Sequence, residues 1–209
     1  MADIWTRIRE ERQALADLLP TLTNEQWETP SLCDGWSVRD VVAHLISVHE
    51  RENASLVMGL LQNGLRVDRY NEQTMRRIGA VSDKTLIARY DTTVETRTNV
   101  LIPTQFLLAE TLIHNEDIFK ALGKERVVPI ETVLLIAHLY RSTGLARKWR
   151  RKNAHIKLVA TDANWIYGDG DEARGPLLSI VMLLAGRQAV SRDLEGAGAE
   201  RLQRRAYAA

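Results

Sequence analysis

The sequence predicts a mainly α-helical protein, with a helical bundle over residues 1–153 and a small α/β segment over residues 154–209. Three observations carry this. Apolar residues recur at helical spacing through most of the chain up to Lys152. Prolines and glycines punctuate that pattern where helices start and stop, with Pro103 and Pro129 at starts and Gly64 and Gly123 at stops. The composition then changes: a strand-like IKLVATD run precedes NWIYGDGDEARG, which is dense in Gly and Asp, as turns are.

Taken in order, Ile4, Ile8, Leu15, Leu18 and Leu19 mark a first helix, and Pro20 and Pro30 bracket a connection. Ser37, with Asp40 three residues on, forms a capping-box pattern ahead of VVAHLISV, so a second helix is expected from Ser37 to Asn63. Residues 65–81 read as a loop with a short helix, and Ser82 to Val100 as a third helix. A fourth runs from Pro103 to the stop at Gly123, and a fifth from Pro129 to Lys152. PLLSIVMLLAGR is short, apolar and ended by glycine, the mark of a buried helix.

The bulk properties exclude several functions. With 28 basic and 27 acidic residues the net charge is +1, so there is no electrostatic footprint for nucleic acid. The basic runs RKWRRK and RLQRR read as solvated helix ends. No apolar run reaches the roughly 18 residues of a membrane span. The opening MADIWTRIREERQ mixes charged and apolar residues, unlike a secretory leader. One cysteine, Cys33, rules out an internal disulfide framework and fits a reducing, cytoplasmic setting. Thiol chemistry would have to use Cys33 or borrow a thiol from outside.

Candidate chemistry is sought among ionisable residues on apolar helices, where an unpaired group is costly. Glu110 and His114 are four apart on the fourth helix and share a face; Asp117 falls on the same stripe. A carboxylate and an imidazole one turn apart make a two-ligand platform for zinc or a similar ion. The alternative is a buried Glu–His hydrogen bond that serves packing alone. His44 on the second helix offers a third ligand. His49 points about 140° away from it and is expected in the core or on the surface. His138, within LLIAHLY, reads as a core histidine, and His155 carries no signal. Cys33 reads as a small buried residue in the turn before the second helix, with Asp34 and Gly35 as turn residues and Trp36 as a packing residue. At about 1.5 Å per helical residue, His44 is roughly 10 Å from Ser37. Cys33 could therefore reach an ion there only through a loop that folds back.

TPSLCDGWSVRDVVAHL resembles the N-terminal signature of the mycothiol-dependent maleylpyruvate isomerase family, part of the DinB-like superfamily of metal-binding four-helix bundles. AETLIHNEDIFKALG resembles that family's second signature, and LVATDANWIYGDGDEARGPLLSIVMLLAGR with LEGAG is similar to the C-terminal part of actinobacterial members. The resemblance implies a DinB-like four-helix bundle with a divalent ion, zinc, on His44, Glu110 and His114. It implies mycothiol as thiol cosubstrate, used for transfer to, or isomerisation of, a small electrophile. Asp117 then either orients His114 or packs the helix. Arg51, Arg174 and Arg187 are candidates for holding an acidic substrate, and homodimerisation is left open. A metal-activated-water hydrolase and a non-catalytic metal-binding bundle are the alternatives.

Overall fold

A computed structural model describes residues 3–49, 74–97 and 103–206. The chain divides into two compact units, residues 1–125 and 126–209. The unit boundary precedes the composition change at residue 154, which marks instead the approach to a sheet.

In the first unit, α1 (Ile4–Leu18) opens under Asp3, whose carboxylate accepts from the Trp5 amide at 3.0 Å. A short helix, α2 (Asn24–Trp27), follows behind a Thr23–Gln26 capping box. The box expected at Ser37 is present at the head of α3 (Val38–His49): the Ser37 amide donates to Asp40 Oδ2 at 2.9 Å, and the Asp40 amide to Ser37 Oγ at 3.2 Å. The expected continuation of this helix to Asn63 lies outside the described residues, as does Arg51. Residues 74–79 are helical, within the stretch expected to hold a short helix.

Ser82 caps α4 (Asp83–Thr93), which ends earlier than the expected Val100. At that end the buried guanidinium of Arg12 takes the carbonyls of Thr93 and Thr96, both at 2.6 Å, supplying donors where the helix leaves carbonyls without them. α5 (Thr104–Ala121) follows Pro103 and stops at Gly123, φ +62°. There the Lys124 amide donates to Phe119 O at 2.9 Å and the Gly123 amide to Lys120 O at 3.1 Å, a Schellman closure.

α1 packs against α4 and α5, and α3 packs against the same two, so these four helices close a ring: a four-helix bundle. Ile8, Leu15, Leu45, Ile46, Leu86, Leu107, Leu108 and Leu112 fill its interior. Each such side chain contributes about 1.5–3 kcal/mol on burial. From Leu107 to Phe119, α5 is buried at every residue except Glu110, so its polar residues Thr111, His114, Asn115, Glu116 and Asp117 lie within the fold.

The second unit holds α6 (Ile130–Ser142) and α7 (Gly144–Lys152) in place of one continuous fifth helix. The break is at Thr143, which is extended (ψ 175°). Ser142 and Thr143 turn their hydroxyls onto the carbonyls of Leu139 and Tyr140, offering the backbone an alternative to the helix, and Gly144 adds a poor helix former. His138 is exposed on α6, not in the core, because the buried face is built from Val133, Ile136, Ala137 and Tyr140.

The strand expected at IKLVATD is β1 (Ile156–Ala160), and the Gly/Asp stretch adds two strands where turns alone were expected. These are β2 (Ile166–Gly168), antiparallel to β1, and β3 (Asp171–Gly175), parallel to it, giving the order β2-β1-β3. Gly170 (φ +111°) explains the glycine content: a Cβ there would sit 2.3 Å from His155 O. The apolar α8 (Leu177–Leu184) is buried as expected, against α6 and β1. α9 (Ala197–Ala206) covers β3 and β1. The described fold is thus mainly helical with a three-stranded sheet towards its C-terminal end. Among the described residues, no helix is long and apolar enough to cross a membrane.

Candidate metal centre

α3 and α5 are neighbours in the bundle, and each presents part of one polar cluster. His44 projects from the middle of α3 and is 3% exposed. Its Nε2 lies 2.7 Å from Glu110 Oε1 on α5, and His114 Nε2, one turn further along α5, lies 3.5 Å from the same oxygen. The three residues expected from helix geometry are therefore together, with one donor atom from each inside a 4.8 Å span.

That donor set fits a divalent ion. Zinc bonds to nitrogen and to carboxylate oxygen at about 2.0–2.2 Å, which spaces neighbouring tetrahedral donors by roughly 3.3 Å. The observed separations of 2.7 and 3.5 Å bracket that value. Two imidazoles and one carboxylate also leave a position open for a further ligand.

Asp117 is fully buried, and its Oδ2 lies 2.9 Å from His114 Nδ1. A proton on Nδ1 would donate to this carboxylate, leaving Nε2 as the basic nitrogen turned to Glu110. Trp36 packs against the core as expected, and it also lies against both imidazoles of the cluster. Its ring lies 5.0 Å from the His44 ring and stacks on that of His114, 5.8 Å away at 14°. Only its position before the Ser37 cap could have signalled this.

Cys33 departs from expectation: it is half-buried, and its loop does fold back. The Leu32 amide donates to the Asp117 carbonyl at 3.2 Å, fastening the loop to α5. Cys33 Sγ, a ring nitrogen of His114 and a carboxylate oxygen of Asp117 then lie within 4.8 Å of one another.

Burial alone would lower the His114 pKa, but the hydrogen bonds and charges of Asp117 and Glu110 outweigh it and raise the pKa to about 8. Desolvation would raise that of Glu110, yet the hydrogen bonds and charges of His114 and His44 hold it well below the usual carboxylate value. The ion-free protein therefore draws stability from protonated His114 that is complete below the unfolded pKa of 6.5 and lost as pH rises through about 8. That loss is about 2 kcal/mol. An ion needs neutral imidazole, so metal affinity should rise over the same interval. Urea unfolding of chelator-treated protein and metal titration, each at pH 6 and 8.5, should move in opposite directions; a parallel trend would contradict this.

Of the arginines considered for an acidic substrate, Arg174 is exposed and pairs with Glu172 at 3.0 Å, and Arg187 donates to Ala185 O at 2.9 Å, both in the second unit. The basic runs behave as helix ends: Arg147, Lys148, Arg150, Arg151 and Lys152 are exposed, and Arg205 donates to Lys152 O at 3.0 Å.

Comparison with known proteins gives a consistent picture. No curated protein matches at a significant level. Residues 8–101 match the family model described as "Mycothiol maleylpyruvate isomerase N-terminal domain". Among solved structures, the mycothiol-dependent maleylpyruvate isomerase is 19% identical, with a TM-score of 0.63 over 93% of this chain and 91% of that one. A histidine-to-alanine variant of that isomerase matches at 18% identity with the same coverage and TM-score. Residues 8–101 are therefore similar to the mycothiol maleylpyruvate isomerase N-terminal domain, and the described chain has the fold of the mycothiol-dependent maleylpyruvate isomerase.

Proposed function

We propose that the protein is a metal-dependent enzyme that uses mycothiol to isomerise, or to transfer the thiol to, a small electrophile. The observation that carries this reading is the convergence of His44, Glu110 and His114 from two helices, with His114 oriented by buried Asp117. The family match supports the thiol, and the fold supports the isomerase type.

His44, Glu110 and His114 would hold one divalent ion, zinc by donor set. Such an ion supplies Lewis acidity that favours the thiolate form of a bound thiol at neutral pH. The residues of the chain then do three things. Asp117 keeps the His114 ring in one tautomer and one orientation. Glu110 brings a carboxylate whose pKa is held low, so it stays ionised as a ligand. Trp36 stacks on the His114 ring and lies tilted against that of His44, giving both imidazoles an apolar neighbour. A thiol that adds reversibly to a conjugated double bond turns it into a single bond. Rotation and loss of the same thiol then give the other geometric isomer, with no net consumption of thiol.

The test is turnover of maleylpyruvate, a cis-configured conjugated acid, with and without mycothiol, alongside a panel of electrophiles for conjugation. Isomerisation or conjugation that requires both mycothiol and metal is expected. Turnover of neither, by fully metal-loaded protein, would refute the enzymatic reading.

Asp117→Asn separates ligand from support. The amide still reaches Nδ1 but carries no charge, so affinity for the first equivalent of metal should fall about 10–100-fold while that equivalent is still taken up. Isothermal titration would read both. A variant that takes up no ion at any concentration would promote Asp117 to ligand.

A further inference from the structure

The folded-back loop assembles a second set of donors that the proposed reaction does not use. Cys33 Sγ, a His114 ring nitrogen and an Asp117 carboxylate oxygen lie within 4.8 Å of one another. The two sets have only His114 in common. Its ring meets Glu110 through Nε2, at 3.5 Å, and Asp117 through Nδ1, at 2.9 Å, so its two nitrogens face different carboxylates. His114 and Asp117 are buried, and Cys33 is half-buried, so the second set is held by packing on one side and reachable on the other. Thiolate, imidazole and carboxylate together are the ligands of a soft or borderline divalent ion.

We propose that Cys33, His114 Nδ1 and Asp117 form a second, inhibitory site for a soft divalent cation such as Cd2+, or Zn2+ in excess. The proposal rests on the reading of His44, Glu110 and His114 as the first site. Binding displaces two protons, one from the Cys33 sulfur and one shared between Nδ1 and Asp117, and the imidazole ring then bridges two ions. Asp117 is drawn from supporting His114 to coordinating the second ion. The first site thereby loses the contact that orients its ligand, and this makes the second ion inhibitory.

Protein carrying one zinc ion is titrated with Cd2+, following the near-ultraviolet thiolate-to-cadmium charge-transfer band and, by elemental analysis, both metals. With a single cysteine in the chain, any such band reports Cys33. The expected end point is one zinc and one cadmium per chain, the band growing with that equivalent. Cys33→Ser should keep its zinc, take up no cadmium and give no band. Its half-inhibition should need more than about 100-fold more Cd2+, because a ligand of the second site and not a supporting contact is removed. Cadmium that replaces zinc one for one, or that binds without the band, would overturn the second site and leave the first intact. Protein that never holds zinc yet gives the Cys33 band would instead refute the first site and keep the second set.

Discussion

His44→Ala should purify with well under a tenth of the divalent ion that the native protein carries, and His114→Ala should match it. Each removes one of three donors that converge from α3 and α5. Loss of a supporting contact costs about 10–100-fold in affinity, and removal of a ligand should cost more than that range. The His44 variant is the cleaner of the two. His114→Ala also strands the Asp117 carboxylate, fully buried, without its imidazole, which adds a folding penalty. Inductively coupled plasma analysis beside circular dichroism distinguishes the two effects. Native-level metal in folded His44→Ala protein would end the metal assignment.

Arg12→Met should destabilise the protein by about 3 kcal/mol, from the loss of two charge-assisted hydrogen bonds worth roughly 1.5–3 kcal/mol each, offset by the guanidinium no longer being buried. Arg12 is 1% exposed, its burial lowers its pKa to about 10, and it remains charged at neutral pH. Its donors hold the carbonyls of Thr93 and Thr96, 81 and 84 residues away in sequence. Methionine fills most of the volume but removes the side-chain donor from both carbonyls, of which Thr93 O keeps the Thr96 amide at 3.1 Å. The melting temperature should fall by roughly 10 °C for a chain of this size. A shift of less than about 2 °C would show that water replaces the guanidinium at no cost.

What the sequence made readable was local. The Ser37–Asp40 cap and the Gly123 stop depend on residues within five positions of one another, and both formed as expected. The trio of His44, Glu110 and His114 was legible because helical spacing fixes Glu110 against His114, and only His44 had to come from elsewhere. What escaped was non-local. Arg12 lies on a helix that periodicity reads through its apolar stripe alone, and its partners are 81 and 84 residues away. The break at Thr143 turned on hydroxyls competing for carbonyls within an otherwise helical pattern. The strands in the Gly-rich stretch were hidden because glycine there serves close backbone approach, a property of the paired chain and not of the segment. Counting along the helix separates Cys33 from His44, and no donor group joins the two, but it is blind to the loop's return to α5 beside His114 and Asp117.

That return has a practical use. Asp117 holds His114 with its side chain and Leu32 with its carbonyl, so one residue fastens both the imidazole and the cysteine loop. The Leu32 amide proton is thus a built-in reporter: its exchange with deuterated water occurs only when the loop lifts from α5. Protection at that single amide, followed as metal or thiol is added, would time the opening of the site with no label and no substitution, in the native chain.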